Sequence, residues 1–358
     1  MKVTLSLREL ARVVPLASKV ASGSRSQSFG MLYVSVTDGG GFVMGGNGTV
    51  WTKKMFSDSY MNTDVSFLIA PADIAPVLGA GGESAEFDID IKKGHAVISW
   101  NDGKGKMKCS ILDAEDYQLP TKSEKPTEAI IPMMTAMTAV KSVFIAAEKG
   151  TKLSLTYGMH FKSEGGKLSF AATNSHRIHV LEVDYTGPEF EHTLSPDMVN
   201  AIGSLSGDAV VFSWDDSRSI ISAAADGDTV SAGMLSGKYP NWKRVIPVDY
   251  TDTATIDAKQ FAATLKRALD CAPVSDRANI TVEDGVMMVD GRNDSREFSD
   301  SMPCECSTSF KFAASAKYLI DAVRATGSDT VKVHKSSRNS LTVTAGDGVT
   351  ATVMGMVL

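Results

Sequence analysis

Ser175 and His176 stand side by side in the stretch Leu168-Ser-Phe-Ala-Ala-Thr-Asn-Ser-His-Arg-Ile-His-Val180, and Asp184 follows shortly after. A hydroxyl, an imidazole and a carboxylate are the parts of a nucleophilic hydrolase, in which the imidazole must hydrogen-bond the hydroxyl. Neighbours on a strand point to opposite faces, so Ser175 and His176 cannot meet in that way. Cys304-Glu305-Cys306 offers two thiols, yet a tetrahedral metal site needs a second Cys or His pair at ligand spacing, and the sequence has none nearby. Gly39 to Gly48 is glycine-rich, but no helix signal follows it, as a dinucleotide site would require, and hairpin turns account for it better. No Gly-x-x-x-x-Gly-Lys-Ser/Thr loop occurs, so ATP hydrolysis is not expected. These residues point away from an enzyme, and no metal or cofactor is expected.

The totals narrow the classes further. At 358 residues the chain is long enough for two or three domains, each able to bury a core. Its 42 acidic and 36 basic residues make it mildly acidic, which argues against gripping nucleic acid by bulk charge and leaves local patches open. The four cysteines, Cys109, Cys271, Cys304 and Cys306, are too few and irregular for a disulfide framework. No apolar run approaches a membrane span and the first residues form no signal series, so a cytosolic protein without a membrane partner is expected.

The 168–180 stretch reads as strand, tight turn, strand, with Asn174-Ser175 supplying turn chemistry and Ile178 and Val180 alternating with polar neighbours. Related turns occur at Gly46-Asn47-Gly48 and Arg292-Asn293-Asp294, so that the three asparagines lie 127 and 119 residues apart. Asp-Gly turns at Asp102, Asp226 and Asp347 recur at 124 and 121 residues. Two markers with one period predict a unit used three times.

Each unit opens with a helical period: Leu7, Leu10, Val14 and Ala17; Met133, Met137, Val140, Phe144 and Ala147; Phe261, Leu265 and Leu269. Pro15 is expected to kink or shorten the first of these. A second helix follows each turn, beginning near Pro71, Pro196 and Ser315, and then come alternating strands such as Phe87 to Ile91, Val331 to Val333 and Leu341 to Val343. Boundaries near the polar linker 122–126 and near 247–253 give units of 1–123, 124–248 and 249–358. Helices on one side of sheets, repeated in line, leave open sheet edges at both ends. Two copies meeting head to tail would close them.

Three segments carry a closer likeness. Ala172-Thr-Asn-Ser-His-Arg-Ile178, Gly237-Lys-Tyr-Pro-Asn-Trp-Lys-Arg-Val-Ile-Pro247 and Val353-Met-Gly-Met-Val-Leu358 stand in the order of the signature stretches of the bacterial sliding clamp, the DNA polymerase III beta subunit. The chain resembles that DNA-clamp family over its full length, as a divergent member of bacterial or viral origin, with Gly355 and Val357 where members more often carry Pro and Arg. The resemblance implies an α+β fold of three tandem clamp domains, each with two helices packed on antiparallel sheets. It further implies a head-to-tail homodimeric ring whose helices line the hole, a processivity factor encircling double-stranded DNA without regard to sequence. Polymerase and clamp-loader subunits would then bind through short peptide motifs, and the protein would work in the cytoplasm on the nucleoid.

By the same likeness the peptide groove between the second and third repeats takes Thr156, Thr173, Ser175, His176, Arg177, Ile178, Pro240, Arg244, Val245, Ser340, Val353, Met354 and Met356. Apolar side chains beside a few fixed polar ones are what such a groove requires, and Met suits several clients because it repacks. Thr156 and Ser175 replace residues that are commonly Leu and Gly in the family. DNA contacts are expected from Arg25, Lys149, Lys152, Arg12 and Lys19, and dimer contacts from Lys104, Lys106, Met107 and Cys109 against Pro273 and Val274. Clamps need only weak phosphate contacts, since topology holds them on DNA, so an acidic total is no obstacle. The alternative class is a non-enzymatic structural repeat that does not encircle DNA, and size in solution separates it from a ring of two chains.

Overall fold

The computed structural model describes residues 1–22, 30–57, 59–61, 64–120, 125–150, 155–215, 219–306, 308–346 and 348–357. Packing divides the chain into two compact units, Met1–Met133 with Asn200–Gly233, and Met134–Val199 with Met234–Leu358. Residues of the middle third of the sequence, 124–248, therefore lie in both units. Strand pairing gives the reason. Among the described residues the first unit holds a run of thirteen strands, in which Val50–Ser57 pairs antiparallel with Asp228–Gly233. The second unit holds a nine-strand sheet, in which Arg177–Asp184 pairs with Thr350–Met354, and a separate four-strand sheet.

Sequence dictates the helices locally. Ser6 caps Leu7–Ala21 by accepting from the Glu9 N–H at 3.4 Å, and Asp257 caps Ala258–Cys271 by accepting from Gln260 at 2.7 Å. The expected kink at Pro15 does not shorten the first helix, which continues to Ala21. Pro15 and Ala11 face solvent, where water can serve the carbonyl that proline leaves unbonded, while Leu10, Val13, Val14, Ala17 and Ala21 pack into the core.

The middle helical stretch departs from expectation. It runs as an α-helix over Met133–Thr138, a π-turn over Ala139–Val143 and a 3-10 turn over Phe144–Ala146. Its buried face is Ala136, Ala139, Val143, Ala146 and Ala147, whereas Met133, Met137, Val140 and Phe144 are half-buried. The buried positions themselves recur at helical spacing, on a face adjacent to the expected stripe and lined mostly by small residues where the sequence reading followed large ones. The second helices, Pro71–Leu78, Pro196–Ile202 and Ala316–Ala325, begin where the sequence places them, the last with Ser315 as its cap in place of proline. The Ser340–Thr344 strand, expected to be half-buried, has Ser340 through Val343 buried on both faces, with the Thr342 hydroxyl 2.9 Å from that of Thr352.

The repeated turn has one chemical cause. Asn47 Oδ1 accepts from the N–H groups of Thr49 and Val50 at 3.0 and 2.9 Å. Asn174 Oδ1 accepts from His176 and Arg177 at 3.2 and 3.1 Å, and Asn293 Oδ1 from Ser295 and Arg296 at 2.9 and 2.8 Å. A short side-chain amide thus closes all three turns, which is why asparagine marks the period. Asp226-Gly227 forms a two-residue hairpin with φ of 46° and 83°, the left-handed pair that Asp-Gly favours. Asp102-Gly103 sits in a four-residue loop, and Asp347 lies outside the described residues.

Asn293 also donates from Nδ2 to the Cys271 carbonyl at 2.6 Å, joining the turn to the end of a helix. Asn293→Ala is expected to lower unfolding free energy by roughly 1–3 kcal/mol, the usual cost of stranding such partners. Asn47→Ala, which loses no link to a helix among the described residues, should cost less. Urea midpoints of the two variants check this, and unchanged midpoints would mean that strand pairing alone holds the turns.

Candidate functional site

All thirteen candidate groove residues lie in the second compact unit. Lys167–Thr173 and Arg177–Asp184 form the hairpin, and Thr173 spends its hydroxyl inside the turn, accepting from the Ser175 N–H at 3.1 Å and donating to the Arg177 carbonyl at 2.7 Å. Ser175, held at a φ of 71°, and His176 project into solvent. Asp184 ends the same strand eight residues beyond His176, roughly 26 Å at 3.3 Å per residue, where it pairs with Lys167 at 2.6 Å. Hydrolase geometry is therefore absent here.

Backbone hydrogen bonds hold the C-terminal segment to this turn and to two other parts of the unit. Met354 N–H donates to the His176 carbonyl at 2.9 Å, Gly355 to Asn339 at 2.8 Å and Met356 to Ala313 at 2.7 Å. Met354 is exposed and Met356 half-buried. Val353 and Ser340 are buried, and Ser340 shares a 2.7 Å hydroxyl contact with Ser336. They form wall rather than surface.

Below the turn lies a small apolar cluster of Ala171, Ile178, Val180, Tyr239 and Trp242, with Leu155 and Ile246 packed against it. Trp242 Nε1 donates to His160 Nδ1 at 3.1 Å, so His160 keeps its other proton on Nε2, facing Glu191 at 3.1 Å. The Tyr239 ring stacks on the same imidazole with centroids 4.8 Å apart. Burial pushes the His160 pKa down despite Glu191, which keeps the ring neutral and able to accept from Trp242. Pro240, Arg244 and Val245 follow on exposed backbone, and the Arg244 carbonyl is held by Arg338 Nη1 at 3.0 Å. Thr156 is buried. A hollow beside the cluster is lined by Val180, Trp242, Ile246 and Thr350.

Arg177 is a buttress. Its side chain is 3% exposed; Nη1 pairs with Asp321 at 2.6 Å, Nη2 donates to the Ile145 carbonyl at 2.5 Å, and the guanidinium lies 4.3 Å from the Tyr318 ring centroid. Tyr318 in turn receives a hydrogen bond from Asn174 Nδ2 at 3.0 Å. The turn is thus braced against the Ala316–Ala325 helix. Sequence reasoning missed Tyr318 and Asp321, which no local pattern singles out. It also missed Tyr239 and Trp242, although two aromatics flanking Pro240 in a polar loop are the signal of a buried anchor.

Among the other candidates, Arg25 and Lys152 lie outside the described residues. Arg12 is tied to Glu9 at 2.8 Å and to the Met55 carbonyl at 2.6 Å, whereas Lys19 and Lys149 are exposed. Lys104 and Lys106 are exposed, Met107 packs partly against the first unit's core, and Cys109 points into that core, its Sγ 3.7 Å from the Ala96 carbonyl. Pro273 is exposed, and Val274, in the second unit, is wholly so.

No protein-family model matches the chain. Two relatives are named beta sliding clamp: that of Synechocystis, 22% identical over 66% of each chain, and that of Streptococcus pneumoniae R6, 22% identical over 84% of this chain and 83% of its own. The DNA polymerase III beta subunits of Streptococcus pyogenes and Pseudomonas aeruginosa superpose with TM-scores of 0.92 and 0.90 at 14% and 16% identity, covering all of both chains. The chain therefore has the sliding-clamp fold, with helices and antiparallel sheets throughout.

His179 faces the helical side of its strand, fully buried, with Nδ1 2.8 Å from the Ser142 carbonyl and Nε2 without a partner among the described residues. Burial, aided by the nearby Arg177 charge, pushes its pKa down to about 4 from an ordinary 6.5. The unfolded chain therefore takes up this proton first. Its contribution to stability is complete above about pH 6.5 and is lost as pH falls toward 4, by at most about 1.4 kcal/mol per unit. Urea unfolding between pH 7 and 5 should show the slope and His179→Gln should flatten it; an unchanged slope would assign it to other groups.

Proposed function

We propose that this chain is a DNA polymerase processivity factor, a sliding clamp of the bacterial beta type. The observation that carries the reading is the fold shared with beta subunits over the whole chain at a TM-score of 0.92. Two copies join head to tail into a ring around duplex DNA, each contributing three clamp domains over residues 1–123, 124–248 and 249–358. Their helices face the hole. Lys104, Lys106, Met107 and the Cys109 backbone lie at one end of the contact, and Pro273 and Val274 at the other.

DNA is held by topology, so the lining needs only weak, sequence-independent phosphate contacts. The exposed Lys19 and Lys149 supply them, with Arg25 and Lys152, while Arg12 is partly neutralised by Glu9. The protein performs no chemistry of its own and relies on a separate loader to open the ring. Its place is the cytoplasm, on the nucleoid.

Polymerase and loader subunits dock an extended peptide on the second unit's turn. Ser175, His176, Pro240, Arg244, Val245, Met354 and Met356 offer the surface, Ile178 and Trp242 the apolar floor, and Thr156, Thr173, Arg177, Ser340 and Val353 the frame. Exposed methionine beside a rigid aromatic floor accommodates clients of different shape.

Encirclement has a direct test. Protein loaded on nicked circular DNA should stay bound through gel filtration and leave when the circle is cut; equal retention on linear DNA would mean ordinary binding. A chain lacking residues 356–358 should keep its dimer mass in light scattering and lose at least tenfold in affinity for a polymerase-derived peptide. Retained affinity would place the peptide elsewhere.

A further inference from the structure

Each compact unit joins a strand that follows an asparagine turn to three others, and one row of side chains crosses all four. In the first unit the row is Trp51, Ser231, Ser222 and Ser213, each opposite the next across Val50–Ser57, Asp228–Gly233, Ile220–Ala225 and Ala209–Trp214. In the second it is Ile178, Thr352, Thr342 and His334, across Arg177–Asp184, Thr350–Met354, Ser340–Thr344 and Thr330–Ser336. Trp51 and Ile178 are each the fourth residue after a turn asparagine, so the rows correspond position by position. Their middle pairs agree: Ser222 and Ser231 share a 2.7 Å hydroxyl contact, as Thr342 and Thr352 do at 2.9 Å.

The ends of the rows differ. In the second unit the His334 ring stacks on Tyr250 with centroids 4.4 Å apart, and its nitrogens lie 2.9 and 3.0 Å from the hydroxyls of Thr253 and Thr344. Thr342 and Thr352 beside it are fully buried. In the first unit the corresponding residue is Ser213, and both Ser213 and Ser222 are only half-buried. A hydroxymethyl group where its counterpart is an imidazole leaves space. A cavity of about 300 Å3 lies there, at the small end of the range that holds ligands.

We propose that this cavity is a docking pocket for one aromatic side chain with a polar tip, tyrosine or tryptophan, carried on an extended segment of a partner protein. Its floor is Ser213, Ser222, Ala224, Thr229 and Ser231, which share one face of the sheet and offer four hydroxyls with no side chain larger than threonine. Its walls include Met44, Trp51, Pro120 and Pro126. The Trp51 wall is fixed in advance, since Nε1 donates to the Gln118 carbonyl at 3.2 Å and the ring packs with Met44, Leu68 and Tyr117. Apolar walls take the ring, and the hydroxyls below meet the O–H or N–H that a buried phenol or indole must satisfy. Lys53 and Asp215 add one charge of each sign to the lining, which suits a neutral side chain.

The adjoining strand says what carries the ring. Thr127–Pro132 begins directly after Pro126 of the wall, sets Glu128 opposite Ser213 of the floor, and has no partner on its other side among the described residues. Met133 N–H donates inward to the Asp208 carbonyl at 2.9 Å, so by alternation the N–H and C=O groups of Glu128 and Ile130 point to the open edge. Pro132, which has no N–H to offer, falls on that same outer side. Ile130 is 62% exposed. An extended segment can therefore take backbone hydrogen bonds from Glu128 and Ile130 while its aromatic side chain enters the cavity next to them, the division of labour of strand addition. The second unit lacks this pocket because Tyr250 and His334 fill the matching place, so its docking surface at the Asn174 turn is a separate site.

The test selects short random-sequence peptides displayed on phage against the full chain and sorts them by variant. One class should carry a tyrosine or tryptophan anchor and bind equally well when residues 356–358 are removed. Ser213→His, which sets an imidazole where the second unit has one, and Ala224→Leu, which raises the floor, should each weaken that class by roughly tenfold or more, with melting curves confirming that both variants fold. Phenylalanine in place of a selected tyrosine should also weaken it. Absence of the class, or affinity unchanged in both filled variants, would overturn the pocket; affinity unchanged with phenylalanine would overturn the role of the hydroxyl floor. Peptides lost only on removing 356–358 belong to the second unit's site, so failure of either site is read separately.

Discussion

A strand with an unpaired edge leaves its backbone N–H and C=O groups without partners, and every third of this sequence ends in such a strand. The chain meets the demand by pairing the strand after one asparagine turn with the closing strand of the following third, in the first unit through Val50–Ser57 and in the second through Arg177–Asp184. Compact units consequently cut across the sequence repeat. Each joint also carries a buried charge: Lys54 meets Asp228 at 3.0 Å in the first unit, and Arg177 meets Asp321 at 2.6 Å in the second. Such pairs add little net stability against well-packed apolar alternatives, but stranding one partner is costly, so they specify alignment.

The same turn has been put to different uses. At Asn47 the fourth residue on is Trp51, whose ring belongs to a buried cluster with Met44, Leu68 and Tyr117. At Asn174 the fourth residue is the smaller Ile178, and the aromatics come instead from Tyr239 and Trp242, locked from behind by the neutral His160. Ser175 and His176 stand outside that packing. A packed apolar floor under a polar, exposed lip is what the proposed docking of an extended peptide rests on.

Much of this was legible in the residues. The asparagine period, the Asp-Gly hairpin at Asp226 and the helix starts near Pro71, Pro196 and Ser315 are local chemistry, and the structure reproduces them, while Asp347 lies outside the described residues. Where a reading followed the largest apolar side chains or simple alternation it failed: the middle helical stretch buries Ala136, Ala139, Val143 and Ala146 where Met133, Met137, Val140 and Phe144 were expected, and the Ser340–Thr344 strand proved to be covered on both sides. Pro15 was read as a kink or an early end because sequence does not say which side of the helix faces water.

Sequence by itself determined the repeated elements and the residues that end them, because a side chain that closes a turn or caps a helix acts within a few positions of itself. Only tertiary structure decided that Arg177 is a brace and Ser175 a surface, that Cys109 turns inward, and that Tyr318, Asp321 and Trp242 complete the site. Those roles depend on contacts such as Arg177 to Asp321, 144 residues apart, and Trp242 to His160, 82 apart. Residues so distant are brought together by strand register, which no local pattern encodes.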